Sequence, residues 1–300
     1  KAIINKLDEV KTQLYLTKGI RKLNSGAIEI KPQKFGILPG LIESDVLQTM
    51  QQIPGIISLD ETISNINVRG GTHDQNLFLW NGIRMFQTGH FFGLISAFNP
   101  SISHTILITK NGSSAFSGES VSSLITISSH DENENNDKTS ISSNLISAEF
   151  YKKMKLTNSS NFTLSGRRSF TDFFTSPTYK NYSDRIFQNS VITELNTNEI
   201  VDYKNDVSFY FYDFSAQYQQ KLNSKNELNI DFITFNNDLK FTENNDLNSK
   251  ESSLSQTNLG VSIQWKTRWN KNNTTDILTS FSNYELNSIH QSLNSNQIKI

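Results

Sequence analysis

Residues 65–82 read Asn-Ile-Asn-Val-Arg-Gly-Gly-Thr-His-Asp-Gln-Asn-Leu-Phe-Leu-Trp-Asn-Gly, and this stretch decides the fold. The alternation in Ile66–Val68 predicts a short, half-buried strand. Gly70-Gly71 then permits a sharp change of direction. The apolar run Leu77–Trp80 predicts a strand buried on both faces. Asn81-Gly82 predicts a type I′ hairpin turn, because that turn needs positive φ at both central residues.

Composition excludes several classes of protein. The 300 residues carry a net charge of −1, so the basic footprint of a nucleic-acid-binding protein is missing. The chain has no cysteine, which rules out disulfides and thiolate metal sites. No run approaches the 18 apolar residues of a membrane-spanning helix. A membrane β-barrel stays compatible with this hydropathy, since its apolar residues occupy only alternate positions.

The first half of the chain predicts a small α+β globule over residues 31–129. Asp45 can cap a helix whose apolar residues follow at helical spacing, and Pro54-Gly55 ends it. We expect residues 1–30 to form an extended N-terminal arm. Their first 20 residues are mixed and charged, so we expect any targeting segment to have been removed or to lie upstream. Residues 130–138 are polar and acidic and predict a linker, since the glycine and terminal glutamate of a calcium loop are absent.

Residues 139–300 alternate apolar and polar side chains over long stretches. Both an outer-membrane β-barrel and a soluble β-sandwich produce such alternation. Trp265 and Trp269 near one end of an apolar face, and short turns alternating with long connections, favour the barrel. Six strands cannot close such a barrel, so we expect the chain to be truncated at Ile300. The six predicted strands are 140–153, 160–174, 206–222, 226–237, 255–270 and 273–287.

Several short motifs follow one another in a fixed order along the chain. They are Leu38-Pro39-Gly40, Asp45-Val46-Leu47, Ile53-Pro54-Gly55, Val68-Arg69-Gly70-Gly71, Trp80-Asn81-Gly82-Ile83, Phe98-Asn99-Pro100, Lys110-Asn111-Gly112, Leu164-Ser165-Gly166-Arg167 and Phe211-Tyr212-Asp213. In this order they resemble the TonB-dependent outer-membrane receptors and transporters of the Bacteroidetes type. The resemblance covers nearly the whole chain. Asn81 stands where the family usually has aspartate, and asparagine also tolerates positive φ.

The resemblance implies an α+β plug domain followed by a partial antiparallel transmembrane β-barrel. Residues 31–129 would form the plug, and residues 139–300 would supply about six strands of a barrel of about 22. It implies an energy-coupled transporter in the cell outer membrane, with the plug and the N-terminal arm facing the periplasm. The implied partners are a TonB-type inner-membrane energy-transducing protein, outer-membrane lipids and a scarce small ligand. That ligand would be a siderophore, heme, cobalamin or a glycan, and a surface lipoprotein is a further candidate partner.

The resemblance also suggests roles for particular residues. The coupling segment would be Leu7, Asp8, Glu9 and Val10, although Lys11-Thr12 departs from the family pattern. The ligand would meet the stretch that contains Arg84, Phe86, Gln87, His90, Phe91 and Phe92. Arg69, Gly70, Gly71, Asn81 and Gly82 would serve the architecture of the plug. Arg69, Arg167, Lys266 and Arg268 would either join plug and barrel or be solvated in the lumen.

Other functions receive less support from the residues. The five histidines lack ligand spacing, so we expect no metal site and no cofactor. No nucleophile elbow of the Gly-x-Ser-x-Gly type is present, and we expect no enzymatic activity. The alternative is a surface receptor or assembly component of the same fold that serves signalling or export.

Overall fold

The computed structural model describes residues 14–38, 45–59, 62–102, 104–110, 116–130, 137–186, 192–193, 200–201, 204–244 and 248–294. Two large β-sheets dominate these ranges. We call the first sheet, with its helices and small hairpins, the plug, and the second sheet the wall.

In the described ranges the plug contains eleven strands, two short α-helices and one 3₁₀ helix, His73–Gln75. The strands are β1 (Leu14–Thr17), β2 (Ile20–Lys22), β3 (Ile28–Ile30), β4 (Ile56–Ser58), β5 (Ile66–Val68), β6 (Asn76–Trp80), β7 (Ile83–Met85), β8 (Gly89–His90), β9 (Ile95–Ser96), β10 (Thr105–Lys110) and β11 (Ser123–Ser128). The α-helices are α1 (Pro32–Phe35) and α2 (Val46–Met50). Seven of the strands form one sheet in the order β1-β2-β3-β10-β11-β6-β7.

Strands β1, β2 and β3 belong to this sheet, which differs from the sequence-based expectation for the N-terminal arm. Residues 1–30 were expected to be an extended arm, whereas Ile28 and Ile30 pair with Ile108 and Ile106 of β10. Ile30 is fully buried. The apolar residues of β3 therefore cover one edge of the plug core, although the alternation of apolar residues in this part of the sequence is weak.

The deciding stretch folds largely as its residues predict. Arg69 and Gly70 make the change of direction, with φ of 50° and 83°. Leu77, Phe78 and Trp80 of β6 are all buried. Asn81 and Gly82 have φ of 46° and 84°, the positive values of a type I′ turn, and Trp80 pairs with Ile83 across it. The stretch therefore places a tight hairpin at the edge of the plug sheet.

Helix α2 also agrees with its sequence signals. The side-chain Oδ1 of Asp45 accepts a hydrogen bond from the backbone N–H of Gln48 at 2.7 Å, which caps the helix. Leu47 and Met50 are fully buried beneath the sheet. Gly55 then turns the chain with φ of +81°. The helix thus packs its apolar face against the core of the plug.

The wall is an open sheet of seven antiparallel strands, and neighbours in the sequence are neighbours in space apart from one small hairpin. These strands are β12 (Lys138–Ser143), β13 (Ser147–Thr157), β14 (Ser160–Ser169), β17 (Lys204–Lys221), β18 (Asn226–Asn244), β19 (Asn248–Arg268) and β20 (Thr274–Asn294). Helix α3 (Pro177–Ile186) and the hairpin of β15 (Ile192–Thr193) and β16 (Ile200–Val201) lie between β14 and β17 in the chain.

The prediction of six strands was wrong, because residues 140–153 hold parts of two strands. Strands β12 and β13 are joined by a tight connection at Asn144. The Oδ1 atom of Asn144 accepts hydrogen bonds from the N–H groups of Ile146 and Ser147 at 2.8 and 2.9 Å. This side chain closes the turn without the glycine or proline that would have signalled it.

The two faces of the wall differ as the alternation predicts. Ile263 and Trp265 on the outer face of β19 are 48% and 39% exposed, whereas the preceding residue, Ser262, is 1% exposed and faces the plug. The apolar outer face ends at Leu259, beyond which Thr257, Ser255 and Ser253 share the same side of the strand. Strands β18 and β19 therefore extend well into residues 238–252, which the sequence predicted to be a loop.

Among the described residues, no helix combines the length and the apolar character needed to cross a membrane.

Candidate functional site at the interface of plug and wall

The plug lies against the inner face of the wall, and the contact runs along the stretch from Asn81 to Phe91. The connections β13–β14, β17–β18 and β19–β20 are short and lie at one end of the wall, which we call the short-turn end, whereas the opposite end carries both the tight β12–β13 turn and the long β14–β17 connection. Asn81 contacts Asp231 near that end, whereas Phe91 packs on Phe209 farther away from it. Polar and apolar contacts alternate along this path.

The first polar contact, which we call the lower cluster, surrounds the Asn81-Gly82 turn. The amide Nδ2 of Asn81 donates to the Oδ1 atom of Asp231 at 2.9 Å, and its backbone carbonyl accepts from the hydroxyl of Ser262 at 2.9 Å. The Nε2 atom of His130 lies 2.8 Å from the same oxygen of Asp231. Asp231 is only 1% exposed, so these contacts satisfy a carboxylate that water cannot reach.

We expect Asn81→Asp to weaken this contact although it preserves the turn. Aspartate also tolerates positive φ, but it replaces the donor to Asp231 with a second carboxylate. The plug should dock about 2 kcal/mol less stably, the cost of an unsatisfied buried polar group. Equilibrium unfolding in guanidinium measures the change. Adding Asp231→Asn exchanges donor and acceptor, and a double variant no more stable than Asn81→Asp alone would contradict this account.

An apolar contact follows the lower cluster. Gly260 of β19 leaves room for Ile83, and a Cβ atom added there would lie 2.1 Å from the Cγ2 atom of Ile83. Ile233 and Phe235 of the wall are buried within the same apolar cluster as the core of the plug. The core of the plug therefore continues directly into the wall.

The second polar contact, which we call the upper cluster, joins the β8–β9 hairpin to three wall strands. The Nε atom of Arg167 donates to the Oδ2 atom of Asp213 at 2.6 Å, and its Nη2 atom donates to the backbone carbonyl of Ser96 at 2.6 Å. The Nδ1 atom of His90 lies 2.7 Å from the Oδ1 atom of Asn237, and its Nε2 atom lies 3.3 Å from the Oδ2 atom of Asp213. One buried ion pair thus holds both strands of the hairpin.

His90 has no exposed surface, and its ring stacks on Phe211 with 4.2 Å between the ring centroids. Burial lowers the pKa of His90, which the nearby Arg167 lowers further, while Asp213 and Asn237 act in the opposite direction. The imidazole is therefore neutral near pH 7. The side chain works as a neutral hydrogen-bonding group between plug and wall.

The structure separates the residues expected to meet a ligand into two groups. Phe86 and Phe92 are 47% and 42% exposed, and the side chain of Arg84 is 41% exposed beside Glu119. His90 and Phe91 are buried against the wall. The half-buried Gln87 donates to the backbone carbonyl of Gly89 at 3.2 Å.

Phe91 links the hairpin to helix α3. Its ring packs edge-on against Phe209 and Tyr179, at centroid distances of 4.4 and 5.8 Å. Tyr179 is 4% exposed and donates from its hydroxyl to the backbone carbonyl of Val207 at 3.2 Å. The β8–β9 hairpin therefore contacts helix α3, which lies in the long connection between β14 and β17.

The other predicted site residues lie apart from this interface or outside the described residues. Arg69 and Gly70 form their turn inside the plug, where the backbone N–H of Arg69 donates to the carbonyl of Gly55 at 2.8 Å. Gly71 packs on Ser122, within the plug. Lys266 and Arg268 line a cleft at the short-turn end of the wall. The coupling segment Leu7–Val10 falls outside the described residues.

Sequence reasoning assigned no site role to Asp213, Asp231 or Asn237, which carry the two polar clusters, although Asp213 belongs to the Phe211-Tyr212-Asp213 motif. A usable signal was present, since Asp231 places a charge at an inward position of the alternating strand Leu228–Phe232. A charged residue on the inner face of such a strand needs a partner. The partner itself could not be named, because Asn81 lies 150 residues away in the chain.

No protein-family model matches the sequence, and no curated protein matches it. Comparison with solved structures finds the unliganded ferric citrate transporter FecA, with a TM-score of 0.53 at 9% identity, over 91% of this chain and 49% of FecA. The alcaligin outer-membrane receptor FauA from Bordetella pertussis matches with a TM-score of 0.48 at 10% identity, over 90% of this chain and 48% of its own. The siderophore receptor PirA from Pseudomonas aeruginosa matches with a TM-score of 0.46 at 10% identity, over 90% and 51%.

The chain spans about half the length of these solved structures. The likeness to FecA shows the fold, at an identity of 9%. In coarse form the predicted fold class is confirmed: a plug-like α+β part is followed by an antiparallel sheet that does not close in this chain.

Proposed function

We propose that the chain is the plug and the first part of the barrel of an energy-coupled, TonB-dependent outer-membrane receptor of the Bacteroidetes type, which imports a scarce ligand into the periplasm. The observation that carries the proposal is the docking of an α+β plug on the inner face of a β-sheet whose outer face is apolar. The FecA-like fold supports it.

The outer face of the wall supports a place in the outer membrane. Trp265 and Trp269 are 39% and 60% exposed near the short-turn end, where an aromatic girdle would meet the membrane interface. Short turns face the periplasm in outer-membrane barrels. In the proposed orientation the plug and the N-terminal arm face the periplasm, and the long connection that carries α3 faces outward.

The proposed domain organisation keeps the boundaries predicted from the sequence. Residues 1–30 include the coupling arm, 31–129 the plug, 130–138 the acidic linker and 139–300 the first part of the barrel. Pairing of β3 with β10 argues for counting residues 14–30 with the plug sheet. The complete barrel would have about 22 strands, the size of plugged outer-membrane transporters.

The proposed ligand surface is formed by Arg84, Phe86, Gln87 and Phe92. Arg84 lies over the ring of Phe86, with 4.6 Å between its guanidinium carbon and the ring centroid. The Arg84–Glu119 ion pair beside exposed aromatic rings suits a ligand that combines polar groups with apolar or aromatic parts. His90 and Phe91 would position this stretch from behind. Siderophores, heme, cobalamin and glycans are the candidate ligands, and a surface lipoprotein is a candidate partner.

Deletion of residues 7–12 in the full-length protein is expected to abolish uptake and to leave ligand binding at the cell surface unchanged. The segment that contains Leu7–Val10 would pair as an added strand with the TonB-type inner-membrane protein, so its loss removes the energy input alone. Uptake and binding of radiolabelled ferric siderophores, heme, cobalamin and oligosaccharides by intact cells measure both steps.

The matched control replaces residues 7–12 with six residues of glycine and serine, which preserves the length of the arm. If a compound is still taken up after the deletion, and its uptake depends on the protein, then residues 7–12 are not the coupling segment. Binding without uptake of any tested compound by the wild-type protein would favour the alternative role in signalling or export.

A further inference from the structure

The hairpin of β8 and β9, residues 89–96, is held to the wall by the packing of Phe91 on Phe209 and at two polar points of unequal strength. Through Ser96 it accepts a charge-assisted hydrogen bond of 2.6 Å from Arg167. Through His90 it meets Asp213 at 3.3 Å, which is longer than an ordinary hydrogen bond, and Asn237 at 2.7 Å. The Asp213 oxygen already accepts from Arg167 at 2.6 Å. The histidine is thus the weaker attachment and the only titratable group that the hairpin places against the wall strands, among the residues that the structure describes.

We infer that the upper cluster is an acid-sensitive latch, in which protonation of His90 releases the hairpin of residues 89–96 from the wall while the Arg167–Asp213 pair stays in place. The inference concerns the docked geometry and does not depend on import. Its failure would therefore leave the proposed function standing.

The charges around His90 support this direction. Asp213 and Arg167 are the charged groups of the wall that face it, whereas Asn237, Phe211 and Phe235 contribute no charge. Protonation changes the buried group of three from neutral to a net charge of +1. The Asp45 carboxyl lies close enough to interact electrostatically with Arg167, and burial raises the pKa of Asp45 while Arg167 lowers it.

The released hairpin binds the proton more tightly than the docked hairpin does. In water the imidazole regains its ordinary pKa of about 6.5, whereas burial lowers the pKa of the docked His90. A depressed pKa means that the docked state has its full stability above pH 6.5 and loses it as the pH falls from there toward the docked pKa. One proton changes the docking equilibrium by up to about tenfold per pH unit in that window.

A second buried histidine provides an internal comparison. Burial lowers the pKa of His104 to about 4. It precedes strand β10 in the main plug sheet and packs on Phe98, with 6.1 Å between the ring centroids. His104 also lines a small cavity between plug and wall, together with Ala97 and Asp213, and with a pKa of about 4 it stays largely neutral at pH 5.

The test uses the absence of cysteine from the chain. Ala97→Cys places a thiol directly after β9, at a position that is 2% exposed, and Phe116→Cys places one at a fully exposed position of the plug. Both variants are made in the full-length protein in outer-membrane vesicles. The maleimide reaction rate of the Ala97→Cys thiol is divided by that of the Phe116→Cys thiol, so that the intrinsic pH dependence of a thiol cancels from this ratio. We expect this ratio to rise about tenfold from pH 7.5 to pH 5.

His90→Gln keeps a hydrogen-bonding side chain that cannot titrate, and it should flatten the profile to within about twofold. His104→Gln should keep the tenfold rise. A flat profile in the wild-type background, or a rise that survives His90→Gln, would overturn the latch. A rise that is lost only in His104→Gln would show that His104 is the titrating residue, which would also overturn the proposal.

Hydrogen exchange of the wild-type protein gives a second measurement that needs no substitution. Peptides that cover residues 86–97 should lose protection at pH 5, after correction for intrinsic rates, while peptides that cover β6 stay protected. Equal protection of both regions at pH 5 and pH 7.5 would also overturn the latch.

Discussion

Replacing Asp213 with asparagine is expected to lower the free energy of unfolding by about 3–5 kcal/mol. The side chain of Arg167 is 4% exposed, and its Nε atom donates to Asp213 at 2.6 Å. Asparagine keeps the shape of aspartate but removes the charge that compensates this guanidinium. A buried cation without its partner is costly, because the protein interior solvates it poorly. Guanidinium unfolding of the full-length protein in detergent micelles measures the change.

The exposed pair of Arg168 and Asp172 provides the matched control. Its two side chains are 50% and 25% exposed at a separation of 2.8 Å. Asp172→Asn should therefore change stability by less than about 1 kcal/mol. The double variant Asp213→Leu with Arg167→Met should recover most of the loss, because it removes both charges. An effect of Asp213→Asn no larger than that of Asp172→Asn would show that the upper cluster does not stabilise the docked plug.

Gly260→Val is expected to force the plug away from the wall, at a cost of about 3 kcal/mol. Valine suits a strand better than glycine does, so the strand itself should not suffer. The added side chain would collide with Ile83, whose Cγ2 atom lies 2.1 Å from the position of the new Cβ. Ion conductance in planar bilayers, with the full-length protein, detects a plug that no longer fills its place.

Two variants separate this steric effect from a general effect of valine. Gly118→Val adds the same side chain to the plug at a position with no atom within 4 Å of the new Cβ, and it should leave conductance unchanged. Adding Ile83→Ala to Gly260→Val returns space and should restore part of the docking. If conductance stays low in Gly260→Val, the wall strand has moved to accommodate the valine and the plug has stayed docked, which contradicts the prediction.

The sequence predicted those parts of the fold that depend on neighbouring residues. The Asn81-Gly82 turn, the helix after Asp45 and the alternation of β19 each follow from a local backbone or burial preference. The turn at Asn144 was missed because an asparagine side chain closes it without glycine or proline. The polar ends of β18 and β19 were predicted to be a loop, because their outward residues carry no apolar signal.

The contacts of the candidate site could not be predicted from the sequence. The Arg84–Phe92 stretch was expected to meet a ligand, and the structure places His90 and Phe91 of this stretch in buried contact with the wall. Their partners, Asn237 and Phe209, are more than 100 residues away in the chain. Such contacts depend on the position of the plug against the wall, and the neighbouring sequence carries no information about that position.

Strand β19 continues past the end of its apolar face, and this has a mechanical consequence for the proposed receptor. Beyond Leu259 the outward side chains are polar as far as Ser253, which lies about 20 Å from Leu259 along the strand. The ladder to β18 and β20 continues throughout this part. If the height of the apolar face matches the thickness of the lipid bilayer, the polar part of the sheet extends beyond the headgroups as a rigid, hydrogen-bonded rim. Loops at the end of this rim would meet large solutes in open water. A force applied to these loops would be transmitted to the membrane through the hydrogen-bonded strands.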